Sequence, residues 1–369
     1  MCGIAGFLDV EPHRTREELL SLTTKMSDTL KHRGPDDGGV WADVEAGIAL
    51  GHRRLSIIDL SAQGHQPMHS PCGRFVIVLN GEVYNFLELR QELETSGWAF
   101  KGHSDTEVAL AAIARWGLEA AVKRFNGMFA FALWDRQEGT LSLVRDRLGK
   151  KPLYYGWAGK TFLFASELKA LRMHPDFKPQ LDRNALALYL RYSYVPCPYT
   201  IYRGIHKLPP GTILTLHKDN RGESITTYWS ARDMAELGAA EGFHGSEKEA
   251  IASLDHLLRD AVKMRMIADV PLGALLSGGV DSSTVVALMQ AQSHRPVKTF
   301  TIGFHEGNYN EAEDARKVAD YLHTDHTELY VTPQEALEVI PRLPVIYDEP
   351  FADSSRFQPF WYRSWPAAT

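Results

Sequence analysis

The sequence predicts an α+β domain with largely antiparallel sheets, followed by an α/β domain with a parallel, doubly wound sheet that is incomplete at its C-terminus. Three observations carry this prediction. Residues 125–165 alternate into two hairpins, and the strands and helices before them interleave without a regular βαβ rhythm. Beyond residue 271 strands and helices do alternate, and the first strand breaks into Ser277-Gly278-Gly279-Val280-Asp281-Ser282-Ser283 before a helix. A length of 369 residues is also the natural size for two domains. The expected boundaries are 2–215 for the first domain, 216–245 for a linker region and 246–369 for the second.

Composition narrows the function classes. Hydrophobic residues make up 44% and charged residues 23%, the balance of a globular chain able to bury a core. A net charge of -6 offers no basic footprint for nucleic acid. No apolar run approaches membrane-spanning length, and the N-terminus lacks a basic region followed by an apolar one. The expectation is a cytoplasmic protein with neither nucleic acid nor membrane as a partner. Cys2, Cys72 and Cys197 are too few and too scattered for a disulfide framework or a zinc site.

Taken in order, the chain opens with Cys2 before Gly3-Ile4-Ala5-Gly6-Phe7, a short apolar strand. If Met1 is removed, a thiol of reference pKa about 8.5 adjoins an α-amine of about 8. Nucleophile and base then arrive on one residue, and no histidine is needed. Residues 15–31 carry apolar side chains at 19, 20, 22, 26 and 30, a helical spacing, and His32-Arg33-Gly34-Pro35-Asp36 ends it. Residues 51–59, with Arg53 and Arg54, read as a strand carrying a guanidinium, and 75–79 as another, interrupted by a turn at Asn80-Gly81-Glu82. An amide side chain and an unobstructed backbone N–H at that step could also serve a developing oxyanion. A helix is predicted over 86–94, and a second, capped by Ser104 or Asp105, reaches Trp116. The hairpins turn around residues 137–139 and 158–159. Residues 230–246, rich in alanine, glycine and glutamate, read as the linker's core. Ser246 and Glu249 then form a capping box for a helix reaching residue 267, with apolar residues at 251, 254, 257, 258, 261 and 262.

In the 277–283 loop, adjacent glycines let backbone N–H groups turn inward, and Asp281 and the serines are placed to cap a helix whose positive end faces the loop. Such a cradle suits a phosphate. No lysine follows the glycines, so this is not the loop that reaches toward a γ-phosphate. The serines supply hydroxyl donors instead, and Asp281 is placed to hold magnesium beside a polyphosphate. A lone Gly-Gly would be an ordinary strand-to-helix turn; two glycines, three serines and an aspartate within seven residues favour a nucleotide. A strand at 297–304, a helix at 310–322 and a strand at 327–331 complete the alternation.

Cys2-Gly3-Ile4, HRGPD at 32–36, RRLSIID at 53–59, NGEVYN at 80–85, SDTEV at 104–108 and NGMFAFALWD at 126–135 together resemble class II glutamine amidotransferase domains, N-terminal-nucleophile αββα sandwiches. The 277–283 loop resembles that of the ATP pyrophosphatases, and the combination in this order resembles the glutamine-hydrolysing asparagine synthetase family, over residues 2–355. The resemblance implies an ATP-dependent carbon–nitrogen ligase with glutamine as amido donor and aspartate as acceptor. Cys2 would attack the glutamine side chain, with Asn80 and Gly81 as the oxyanion hole. Glutamine would be bound by Arg54 at its carboxylate, by Glu82 and Asp105 at its ammonium, and along Leu55, Ser56, Ile57 and Ile58. ATP would lie on Ser277, Gly278, Gly279, Asp281, Ser282 and Ser283, with the backbones of Leu275 and Ile302 bracketing adenine and Asp281 binding Mg2+. Taken singly, Arg54 is an ordinary ion-pair residue, Asp105 a helix cap and Glu82 a solvated strand end; as a set they match a zwitterionic amino acid. The resemblance admits a homodimer. Two alternatives stay open: amidation of another carboxylate, such as a sugar acid or a secondary metabolite, and a truncated remnant with glutaminase or binding activity only.

After Asp348-Glu349-Pro350-Phe351-Ala352-Asp353-Ser354-Ser355 the family pattern stops, and residues 356–369 are aromatic without periodicity. A one-base shift of reading frame is the expected cause, because nucleotides encoding residues 355–368 can also encode a helical pattern of the family's kind. The expected result is a truncated product with an incomplete second site, an unfinished sheet edge and poor solubility.

Overall fold

The first strand, β1 (Gly3–Asp9), is buried on both faces and sets the layers around it. Ile4 and Leu8 enter one apolar cluster and Ala5 and Phe7 another, as the two-residue period of a strand requires. The computed structural model describes residues 1–219, 222–305 and 310–353. Its backbone separates into two units, Met1–Gly242 joined by Asp348–Pro350, and Phe243–Tyr347.

In the first unit β1 is followed by β2 (Asp37–Asp43), β3 (Ile48–Arg54), β4 (Met68–His69), β5 (Phe75–Val83), β6 (Gly127–Asp135), β7 (Thr140–Arg145), β8 (Tyr154–Ala158), β9 (Thr161–Ala165), β10 (Ile205–Lys207), β11 (Thr212–His217) and β12 (Glu223–Thr227). They form two six-stranded sheets, ordered β10-β8-β9-β1-β3-β2 and β12-β11-β7-β6-β5-β4. The sheets face each other across a cluster that includes Ile4, Leu50, Val78, Ala132, Trp134 and Phe164. Helix Arg16–Asp28 covers the outer face of the first sheet through Leu19 and Met26, and helix Asp105–Trp116 lies on β5 of the second. The result is the αββα sandwich.

Local signals hold at the helix starts. Thr15 and Glu18 form a reciprocal capping box, and Ser104, rather than Asp105, caps the helix after it by accepting from the Glu107 N–H at 3.2 Å. Three expectations are corrected. The strand expected over 51–59 stops at Arg54, because the chain turns through Asp59, a buried aspartate at φ 60°. No turn interrupts Asn80-Gly81-Glu82: β5 runs through to Val83, paired with β6 over its whole length, so the Asn-Gly step meets a partner strand instead of a reversal. Gly81 adopts φ 154°, and a Cβ there would lie 2.1 Å from the Met128 carbonyl, so only glycine fits. The region expected as a linker, 216–245, carries β12, paired to β11, and a helix at Ala231–Glu241.

The second unit starts with helix Glu247–Arg265, capped by Ser246 and Glu249 as expected, though Ile251, Leu254 and Leu257 of its apolar stripe are 57–65% exposed. Then β13 (Gly273–Leu275), β14 (Lys298–Phe304) and β15 (Asp325–Val331) pair in parallel in that order, joined by helices Val280–Ala291 and Ala312–Leu322. No reversal of strand order occurs among the described residues. Leu276, Val286, Ala315 and Ala319 form one small core and Ile302, Val331 and Val339 another. Ser354, Ser355 and the tail 356–369 lie outside the described residues. No helix among those described is long and apolar enough to cross a membrane.

Candidate active site

Strand pairing carries Cys2 to the mouth of a 310 Å³ cavity lined also by Arg54, Leu55, Ile57, Ile58, Asn80, Gly81, Glu82, Asp105 and Lys151. Segments distant in sequence meet there because β1 lies beside β3, which ends at Arg54, while β5 crosses from the facing sheet. Of the residues expected around glutamine only Ser56 is not in the wall; its N–H donates to the Asp36 carboxylate at 2.7 Å, which ties the HRGPD turn to the loop after β3.

The Cys2 sulfur sits between the backbone groups of Leu55, 3.4 Å from its nitrogen and 3.7 Å from its oxygen. Burial pushes the thiol up, the Leu55 N–H, the chain's amino terminus and Lys151 pull it down, and Asp105 adds to the rise. Asn80 is fully buried, and neither its Oδ1 nor its Nδ2 finds a partner among the described residues. An unsatisfied buried amide costs about 1–3 kcal/mol, and this one lies in the cavity wall. The strand beneath it is held firmly: Gln66 Oε1 accepts from the Leu79 N–H at 2.6 Å, and His52 Nε2 donates to the Leu79 carbonyl at 3.0 Å. Burial brings His52 down to about 4, so it is neutral and carries its proton on Nε2.

Asp105 accepts from the Val83 N–H at 2.8 Å. Burial raises its carboxyl to about 6, the nearby Glu82 carboxylate adds to the rise, and the Val83 bond opposes it. Arg54 is buried, and part of its five-donor fork is spent on the backbone: NH1 donates to the Ser61 carbonyl at 3.1 Å, and NH2 to those of Ile58 at 3.3 Å and Asp59, while Nε makes no hydrogen bond among the described residues. In this state the guanidinium shapes the 58–61 loop from within the cavity wall.

Sequence reasoning passed over Arg33 and Lys151. Arg33, inside the HRGPD turn, donates from Nε to the Cys2 carbonyl at 2.8 Å and from NH1 to Glu167 at 2.8 Å. Burial would raise the Glu167 carboxyl, but the His32 bond and the charges of Arg33 and Lys169 outweigh it and bring it down to about 2. A charged pair thus clamps the backbone of Cys2. Within the HRGPD motif no role falls to Arg33 from the residues alone, and Lys151 lies outside the motifs that carry the resemblance.

In the second unit Ser277 Oγ and Ser282 Oγ meet at 2.9 Å, and the Gly279 N–H donates to Ser277 Oγ at 3.4 Å. The expected cap is corrected: Gly279 occupies the N-cap position without a side-chain cap bond, and Asp281 is exposed in the first turn. Gly278 is at φ 77°, and a Cβ there would come within 2.8 Å of the Ala315 nitrogen, so the loop abuts the neighbouring helix start. Leu275 ends β13 and is 55% exposed, while the Ile302 side chain is buried in a core cluster within β14. The described residues hold no group of three or more histidine, cysteine, aspartate or glutamate side chains able to cage a metal. A lone carboxylate beside a phosphate loop still fits magnesium, which rides on nucleotide phosphates with one or two carboxylates and water.

Residues 1–229 match the family model of the glutamine amidotransferase domain, and residues 253–363 that of asparagine synthase. The Methanocaldococcus jannaschii protein assigned as glutamine-hydrolyzing asparagine synthetase 2 is 39% identical, covering 97% of this chain and 70% of its own length. Glutamine-hydrolyzing asparagine synthetases 1 and 3 of Bacillus subtilis are each 34% identical, covering 96% and 95% of this chain. The chain spans 54% and 57% of the length of those two relatives.

Proposed function

This chain belongs to the family of glutamine-hydrolysing asparagine synthetases, and on that premise we propose that it releases ammonia from glutamine at Cys2 and uses ATP to fix it on aspartate. The observation that supports this best is the convergence of Cys2, Arg54, Asn80, Gly81, Glu82 and Asp105 on one cavity, with the Asn80 amide unpartnered inside it.

With Met1 removed, the Cys2 amine takes the thiol proton as sulfur attacks the glutamine amide carbon. The oxyanion receives hydrogen bonds from Asn80 Nδ2 and the Gly81 N–H, the amine hands its proton to departing ammonia, and water then cleaves the thioester to glutamate. Glu82 and Asp105 hold the substrate ammonium, and Arg54 its carboxylate. In the second domain the loop from Ser277 to Ser283 cradles ATP while aspartate is adenylated and pyrophosphate leaves; ammonia displaces AMP and gives asparagine. Asp281 would hold magnesium, which screens phosphate charge when bound.

The test is direct. Incubation with glutamine is expected to release glutamate, and addition of ATP and aspartate to yield asparagine, AMP and pyrophosphate in equal amounts. No glutamate release from protein whose N-terminal peptide mass shows Met1 removed would overturn the glutaminase half; amidation of a different carboxylate would change the acceptor.

The raised carboxyl of Asp105 adds a pH signature. Above about 6 the group is ionised and attracts the glutamine ammonium; as pH falls through about 6 it takes up a proton and the attraction is lost. The KM for glutamine is therefore expected to be flat at higher pH and to climb toward about tenfold per unit below about 6. In Asp105→Asn the KM should be high throughout and this step absent. A step of unchanged size in that variant would assign the titration to another group.

A further inference from the structure

Lys151 is 4% exposed, lines the cavity that holds Cys2, and its ammonium makes no hydrogen bond or ion pair among the described residues. Buried lysines are ordinarily paired, because an uncompensated ammonium loses its hydration for nothing. This one is held in place from below. Asp146, itself buried, accepts from the N–H groups of Leu148, Lys150, Lys151 and Phe129 at 2.9–3.2 Å, and Arg145 donates to the Lys151 carbonyl at 2.8 Å. A rigid loop therefore spends its hydrogen bonds on presenting an unpartnered cation to a nucleophile.

We infer that Lys151 is a charge-positioning residue of the glutaminase site, whose ammonium favours the thiolate of Cys2 against the cost of burying it. The inference rests on the reading of Cys2 as the nucleophile. Several charged groups lie around Cys2 and Lys151: the chain's terminal amine, Arg33 from the turn after the first helix, Arg54 from β3, Glu82 from β5, Asp105 from its helix, and Asp146 beside Lys151 in the loop after β7. Arg33 is engaged by Glu167 and the Cys2 carbonyl, and Arg54 by three backbone carbonyls. Asp105 and Glu82 are negative when ionised and oppose the thiolate. The Glu167 carboxylate offsets the Arg33 charge, and of the side-chain cations here it is Lys151 whose charge acts on the Cys2 sulfur. Burial holds its own ammonium below the usual lysine range; Glu82 opposes that fall, the Arg33 charge adds to it, and Cys2 and Asp146 oppose it, the Cys2 contribution being a mutual support of the kind expected between a thiolate and a buried amine.

The test reads the thiolate without requiring turnover. Alkylation of Cys2 by iodoacetamide is followed across pH on its tryptic peptide by mass spectrometry, in the full chain with Met1 removed, for native protein, Lys151→Met and Lys151→Arg. Loss of the cation should move the Lys151→Met curve up by about one pH unit, so that alkylation at neutral pH slows about tenfold while the plateau at high pH is unchanged. Lys151→Arg should keep the native curve. A merely structural role would change the plateau or the melting temperature and leave the midpoint where it was. Superimposed curves for native and Lys151→Met overturn the inference, as does an equal shift in Lys151→Arg. If Lys151→Met fails to fold, Lys151→Gln is read the same way. A shifted midpoint in a chain that releases no glutamate from glutamine keeps the coupling of Lys151 to Cys2 and rejects the glutaminase reading instead.

Discussion

Cys2→Ala is expected to abolish glutamine hydrolysis, lowering the rate by at least about four orders of magnitude, while nucleotide binding by the second domain is unchanged. The fold gives this substitution little else to act on. Among the described residues the sulfur hydrogen-bonds only with the Leu55 backbone, at 3.4 and 3.7 Å, and the backbone of residue 2 stays clamped through its carbonyl by Arg33. The loss would therefore be chemical. The measurements are glutamate release, ATP affinity and a thermal melt on the same preparation. Retained glutaminase would show that another group is the nucleophile, and lost ATP binding with a lowered melt would show that the change had damaged the fold.

Asn80→Ala should cost about 10²–10³ in kcat for glutamine hydrolysis, the range seen when one donor of an oxyanion hole is removed. Because both polar atoms of the Asn80 amide lack partners in the folded chain, truncation leaves no new unsatisfied group behind. Leu79 remains anchored by His52 and Gln66, so β5 keeps its register against β6. The KM for glutamine should move far less than kcat, since the amide is used chiefly once charge develops on the oxygen. An equal rise in KM with unchanged kcat would make Asn80 a binding residue instead.

Some of the fold was legible because its signals are short-ranged. The Thr15–Glu18 and Ser246–Glu249 boxes, and the break from β13 into the glycine loop, span a few residues each and form as their side chains dictate. The Asn80-Gly81 step was misread as a turn for the opposite reason. Whether such a step reverses or extends depends on a partner strand, here β6, whose nearest residue lies more than forty positions away. Asp281 was expected to cap its helix, but Gly279 takes that place and leaves the carboxylate exposed. Arg54 was identified as a site residue, yet its hydrogen bonds to the 58–61 carbonyls depend on how the loop closes around Asp59.

Read alone, the chain determined which chemistries were on offer: a thiol next to a terminal amine, an amide beside a glycine, a phosphate-sized loop followed by a carboxylate, and the order in which they occur. The tertiary structure alone decided that Cys2, Asn80, Asp105 and Lys151 share one cavity and that the lysine enters it with no hydrogen-bond or ion-pair partner among the described residues. The difference is physical. Caps, turns and periodic apolar faces are governed by neighbours a few residues apart, whereas a cavity wall is the sum of strand pairings and burial between segments that know nothing of one another until the sheets close.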